Sequence, residues 1–171
     1  MTFAFGHLIG AWLVGKGYEF NSKGKIHRYG WFFLLLGGVL PDIDFLFEWV
    51  LGSSLHRTFT HSLTFVLFVF VTLFIISLFV KEKEIRKFTS ILCLGMLVHI
   101  FIDFVSIQGV PLFWPLNYYF SIFAITIGKS GPTMINATTE FMRTSLKLAI
   151  LDMGLGTIWI FYLWFSKKID F

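Results

Sequence analysis

Residues 88–107 read FTSILCLGMLVHIFIDFVSI: one imidazole, His99, and one carboxylate, Asp103, in an otherwise apolar and small-residue run. As a helix this run is about 30 Å long, the thickness of a bilayer's hydrocarbon core. His99 and Asp103 are four apart and therefore share one helical face. A carboxylate at mid-span costs about 2.5–3.5 kcal/mol on insertion scales. The run thus reads as a membrane helix that carries a polar pair for a purpose.

The rest of the chain repeats the pattern. Trp31 to Leu51 is apolar except for Asp42, Asp44 and Glu48, and Phe59 to Val80 is interrupted by His61. Leu146 to Phe165 carries Lys147 and Asp152 near its start and ends in the aromatic belt Trp159, Tyr162 and Trp164. Phe3 to Val14 is short for a span, and its Gly6 and Gly10 form a GxxxG pair suited to close helix packing. Gly109 to Gly128 holds Pro111, Pro115 and Asn117 and reads as a re-entrant or interfacial element. It belongs to a long connection, Gln108 to Ser145, of the kind that forms lids or binding loops, with Pro132 opening a helix toward the last span. Thr60 is placed to cap the helix that follows it.

Composition agrees. Of 171 residues, 56% are hydrophobic and 23 are Phe, while 14% are charged, against about 25% in soluble domains. Disordered chains, coiled coils and charged soluble enzymes are excluded. The excess of 14 Lys and Arg over 10 Asp and Glu reads as an orientation signal in short loops rather than a nucleic-acid footprint. Cys93 has no intrachain disulfide partner, zinc-finger spacings are absent, and a cleaved signal peptide is not expected. The expected fold is all-α: a single domain over residues 1–171, a polytopic integral membrane bundle of four or five helices in the cell membrane. Lys16, Lys23, Lys25 and Arg28, then Lys81, Lys83, Arg86 and Lys87, then Lys167 and Lys168, mark the cytoplasmic side. That topology brings His7, Asp42, Asp44, His61, His99 and Asp103 to one depth in the outer half of the bilayer.

No Lys or Arg lies at mid-span to neutralise the carboxylates. Three of them left unpaired would cost about 8–10 kcal/mol, so a bound cation is the economical counter-charge. Asp42 and Asp44 would point about 160° apart on a regular helix, but Pro41 breaks the helix and can turn both toward one site. Imidazole with carboxylate suits Zn²⁺, Mn²⁺ or Fe²⁺ better than Ca²⁺. Six donors exceed the four that a tetrahedral zinc takes, which leaves one or two ions open. Arg57 brings a planar cation suited to a carboxylate or an anionic head group. Taken singly, each residue has a plainer reading: His99 with Asp103 as a structural pair, His61 or His7 as an interhelical partner, Asp152 as a boundary residue.

In order, Gly6-His7-Leu8-Ile9-Gly10, Leu40-Pro41-Asp42-Ile43-Asp44, His56-Arg57-Thr58-Phe59-Thr60-His61-Ser62, His99-Ile100-Phe101-Ile102-Asp103 and Gly109 through Trp114-Pro115 resemble the YdjM-like family of membrane-bound proteins, for which metal-dependent hydrolysis is proposed. The resemblance covers residues 6 to 115, with Val105-Ser106 in place of the more usual Leu-Thr. It implies metal binding by Asp42, Asp44, His56, His61, His99 and Asp103, with His7 matching the family's N-terminal histidine. The motif style is similar to that of helical zinc phospholipases, which implies phosphoester chemistry. The expected function is therefore metal-assisted hydrolysis of a membrane lipid or lipid-linked ester, with Asp42 or Asp44 as general base and Arg57 on an anionic head group. A metal or proton transporter or sensor is the first alternative, and a metal-free membrane scaffold the second. A transporter would string its polar residues through both leaflets.

Overall fold

In a computed structural model of the chain, residues 4–44, 57–106, 109–123, 125–127 and 139–166 are described. Five α-helices account for most of them: α1 (Ala4–Ser22), α2 (Arg28–Val39), α3 (Leu63–Val80), α4 (Lys83–Phe104) and α5 (Thr139–Phe165). Leu63–Val80, Lys83–Phe104 and Leu146–Leu163 are long and apolar enough to cross a membrane. The fold is the all-α membrane bundle expected from the sequence.

Two helices depart most from their expected bounds. α1 runs on past Val14 to Ser22, because nothing breaks it before Lys23, which sits at φ 53°, and Gly24. Glu19 then ties the turn to α2. Its carboxylate accepts from Lys16 Nζ at 2.6 Å, Ile26 N at 2.9 Å and Trp31 Nε1 at 3.3 Å. α2 stops at Val39 instead of continuing to Leu51. Pro41 opens a 3-10 turn, Leu40–Ile43, and the stretch after Asp44 lies outside the described residues.

α2 and α4 form the centre of the bundle. Phe33 stacks on Phe88 with centroids 5.1 Å apart. Gly37 and Gly95 meet where the backbones touch: a Cβ on Gly37 would stand 2.1 Å from Leu92 O, and one on Gly95 2.2 Å from Leu34 O. Small residues let membrane helices approach this closely. The Gly6–Gly10 pair divides its labour. Gly10 faces Ile102 of α4, while the Gly6 amide donates to Asp152 of α5 at 2.7 Å, beside Phe5 N at 3.1 Å. Asp152 thus supplies a carboxylate to the positive end of α1, which offsets the cost of its own burial.

Ser62, not Thr60, caps α3; its hydroxyl accepts from Phe65 N at 3.1 Å. Thr60 is engaged elsewhere, as described below. The stretch after α4, expected as a re-entrant or interfacial element, holds a hairpin. Tyr118–Phe120 pairs antiparallel with Ile125–Ile127, with Tyr119 opposite Thr126. Gly109, at φ 67°, lets the chain pass beneath Phe120 O, where a Cβ would stand 2.6 Å away. Leu63 N donates to Leu112 O at 3.0 Å and Thr64 Oγ1 to Trp114 O at 2.8 Å, seating the segment on the start of α3. Three-residue strands are far too short to cross a bilayer, in keeping with an interfacial element. The helix expected from Pro132 begins, in the described residues, at Thr139.

Tyr29 and Phe33 of α2 lie against Phe88 at the start of α4. The basic groups around Arg28 and between Lys81 and Lys87 therefore share one end of the bundle. The 3-10 turn, the start of α3 and the end of α4 share the other. With the basic end cytoplasmic, Glu84→Cys on a Cys93→Ala background should react with an impermeant maleimide only from the cytoplasmic face. Asn117→Cys, exposed beside the hairpin, should react only from outside. The reverse pattern would invert the topology.

Candidate metal centre

Four elements deliver side chains to one buried point at the hairpin end of the bundle. α1 brings His7, the 3-10 turn brings Asp42 and Asp44, the 3-10 turn Phe59–His61 brings His61, and α4 brings His99 and Asp103. His7, His61 and His99 are each 0% exposed and Asp103 1%.

The ring tautomers follow from the partners. His99 Nδ1 lies 2.8 Å from Gly38 O, a carbonyl that can only accept, so Nδ1 carries the proton. His61 Nδ1 lies 3.2 Å from Asp44 Oδ2 and 3.1 Å from Thr60 Oγ1. Thr60 Oγ1 itself donates to Asp44 Oδ2 at 2.7 Å, so His61 Nδ1 is again the donor. Both Nε2 lone pairs then point inward, and they face one another at 3.2 Å. That contact calls for a bridging proton or a metal ion between the two rings.

Carboxylate oxygens complete the cluster. Asp42 Oδ1 lies 3.3 Å from His61 Nε2 and 3.6 Å from His99 Nε2. Asp103 Oδ2 lies 3.5 Å from His61 Nε2 and 3.7 Å from His99 Nε2. A tetrahedral zinc with bonds of about 2.0–2.1 Å has ligand-to-ligand edges of about 3.3–3.4 Å. The five separations, 3.2 to 3.7 Å, are close to those edges. Asp42, His61 and His99 form one group able to hold a metal ion, and His7, His99 and Asp103 form another.

The donors differ in role. Asp42 and Asp44 do both turn toward one site, as the broken helix at Pro41 suggested, but they grip opposite nitrogens of the same ring. Asp44 stands behind His61, accepting also from Arg57 N at 3.1 Å. That is the carboxylate–histidine arrangement that orients a metal-binding ring. Arg57 is likewise turned inward: it is 5% exposed, and its Nη2 donates to Asp103 Oδ1 at 2.7 Å and its Nη1 to Ser106 Oγ at 2.9 Å. Its backbone sits at φ 56°, an uncommon region for a residue with a side chain. By type this guanidinium suits a carboxylate or an anionic head group, and in the structure it lies on Asp103. Ser106 carries a hydroxyl that also donates to Asp103 O at 2.6 Å. His7 stacks on His99 with centroids 3.6 Å apart and planes 16° apart, its Nε2 3.7 Å from Asp103 Oδ1. His56 lies outside the described residues.

The family model of the YdjM inner membrane protein matches residues 1–169. The chain belongs to that family. Over 80 residues it is 40% identical to "Uncharacterized protein YvsG" of Bacillus subtilis (strain 168), a match that covers 47% of this chain and 44% of that one. The chain thus spans less than half the length of that relative. No solved structure matches. As a YdjM-family protein the chain is a multi-pass membrane protein in contact with lipid, and its polar cluster is the feature that membership leaves to be explained.

Gly95 and Asp152 were not singled out by sequence reading as builders of this centre. Gly95, seated against Leu34 O and Gly37, sets the depth at which His99 meets Gly38 O. Its signal was weak, a lone glycine in an apolar helix. Asp152 anchors the start of α1 one turn from His7. A carboxylate inside a span was visible, but its partner was a backbone, which no side-chain pattern reveals.

Proposed function

We propose that this protein is a membrane-embedded hydrolase that uses one divalent ion, zinc by its donor set, against an ester bond of a lipid or lipid-linked substrate, a phosphoester first. The observation that carries this reading is the facing pair His61 Nε2 and His99 Nε2, 3.2 Å apart, with Asp42 Oδ1 and Asp103 Oδ2 each within 3.7 Å of both and the rings held from behind. Charge supports one resident ion: a divalent cation plus the Arg57 guanidinium balances Asp42, Asp44 and Asp103, so the buried cluster is neutral among the described residues. An ion held there lowers the pKa of a bound water toward ~7 and polarises the scissile bond.

The chain's own residues supply the rest. Asp42 is the most accessible donor, its side chain 17% exposed against 0–4% for His61, His99, Asp44 and Asp103. Substrate and water would approach on the Asp42 side, where Asp42 swinging off the ion would open a coordination position for water and free its carboxylate to take up the water's proton. Arg57 keeps Asp103 Oδ1 occupied, which presents Oδ2 to the ion. All donors gather at one end of the bundle, which favours a fixed site over a conduction path.

The protein purified in detergent should carry close to one zinc equivalent, and Asp42→Ala should lose most of it. A panel of phosphoester and carboxylic-ester lipids, with chelator and metal add-back, then reads the chemistry. Metal retained with no turnover on any substrate would transfer the site to sensing or transport; no metal at all would leave a scaffold.

A further inference from the structure

His7 is the part of the cluster that one resident ion does not explain. It is fully buried, and neither ring nitrogen has a hydrogen-bond partner among the described residues. A buried polar atom without a partner is costly, and such groups in folded proteins usually mark an ion or water. The ring cannot turn away, because it is stacked flat on His99. Its Nε2 instead faces Asp103 Oδ1 at 3.7 Å. Two donors that far apart can share an ion at bonds of about 2.0–2.2 Å. Asp103 would then bridge, with Oδ2 on the resident ion and Oδ1, which also accepts from Arg57 Nη2 at 2.7 Å, turning its remaining lone pair toward His7.

Charge decides when such an ion binds. The resident centre is already neutral with one divalent cation and Arg57, so a second cation alone would leave two uncompensated positive charges in a low-dielectric setting. A phosphoester dianion removes that excess, and a monoanion halves it. His7 and Asp103 also supply only two protein donors, which leaves coordination positions for phosphoryl oxygens, the usual way divalent ions sit on phosphates.

We propose that His7 and Asp103 form a second cation site that fills together with an anionic phosphoryl group. This rests on the one-ion reading above and deepens it: the substrate class becomes phosphoesters, bound as a complex with the incoming cation. His7 is then a substrate-side ligand rather than part of the resident site.

The test uses the full-length protein in detergent, Mn²⁺ as the metal and inorganic phosphate as the anion. Bound metal is counted by equilibrium dialysis, and ion pairing is read by electron paramagnetic resonance. Wild type should bind one Mn²⁺ without phosphate and two with it, the second accompanied by a spin-coupled spectrum expected of ions about 3.5–4 Å apart. His7→Phe, which preserves the stack on His99, and His7→Ala should bind one in both conditions with an uncoupled spectrum. Wild type that stays at one ion in saturating phosphate, or His7→Phe that still takes two, overturns the second site while the first stands. Wild type that binds none without phosphate overturns the resident-ion reading instead. Should both variants fail to fold, the wild-type count and spectrum still decide.

Discussion

His99→Ala is expected to leave the protein without its tightly held ion and without hydrolysis. The side chain does two jobs in opposite directions. Its Nε2 is one corner of the donor set, 3.2 Å from His61 Nε2 and 3.6 Å from Asp42 Oδ1. Its Nδ1 holds Gly38 O at 2.8 Å, at the crossing of α2 and α4. Alanine removes the corner, opens a space beneath His7 and leaves a buried carbonyl without its donor. Zinc with three donors in place of four binds far more weakly, and the loss should not be restored by raising metal within the micromolar range. Asp44→Asn gives the graded control. It keeps the shape but weakens the acceptor behind His61 Nδ1, now 3.2 Å away, and outer partners of this kind typically cost 10–100-fold in affinity or activity. Metal titration and turnover on the same preparations check both. Equal effects of the two substitutions would sink the assignment of His99 as ligand and Asp44 as orienter.

How much of this was legible in the sequence depends on the residue. Period and composition were enough for the helices, since a backbone in lipid must satisfy itself internally. The charge groups fixed which ends of the helices lie together, and with that the common depth of His7, Asp42, His61, His99 and Asp103. The spacing of His99 and Asp103 was enough to put them on one face. What spacing could not give is direction beyond the helix. Asp42 and Asp44 are equivalent in the motif, and only the 3-10 geometry after Pro41 sends one to Nε2 and the other to Nδ1 of His61. Arg57 could serve a substrate or a carboxylate by type alone; its burial against Asp103 and Ser106 settles where it sits. The hairpin at Tyr118–Ile127 was hidden because three-residue strands leave almost no periodic signal.

Arg57→Met should destabilise the metal-free protein strongly and the metal-loaded protein much less. In the metal-free state the guanidinium at 2.7 Å is the shortest charge contact of Asp103 among the described residues. Removing one member of a buried pair typically costs about 3–5 kcal/mol, because the other charge stays buried without compensation. Methionine retains the length of the side chain, so the loss reports charge more than packing. With an ion on Oδ2, Asp103 has a second counter-charge, and binding to the folded state adds stability in proportion to ligand excess over its dissociation constant. The gap in thermal midpoint between wild type and variant should therefore narrow on adding zinc and reopen with chelator. Were Arg57 a head-group residue with no hold on Asp103, the midpoints would differ little in either condition and the effect would appear only in binding of anionic lipid. A large gap that zinc does not narrow would instead place the ion away from Asp103 and return that carboxylate to a purely structural role.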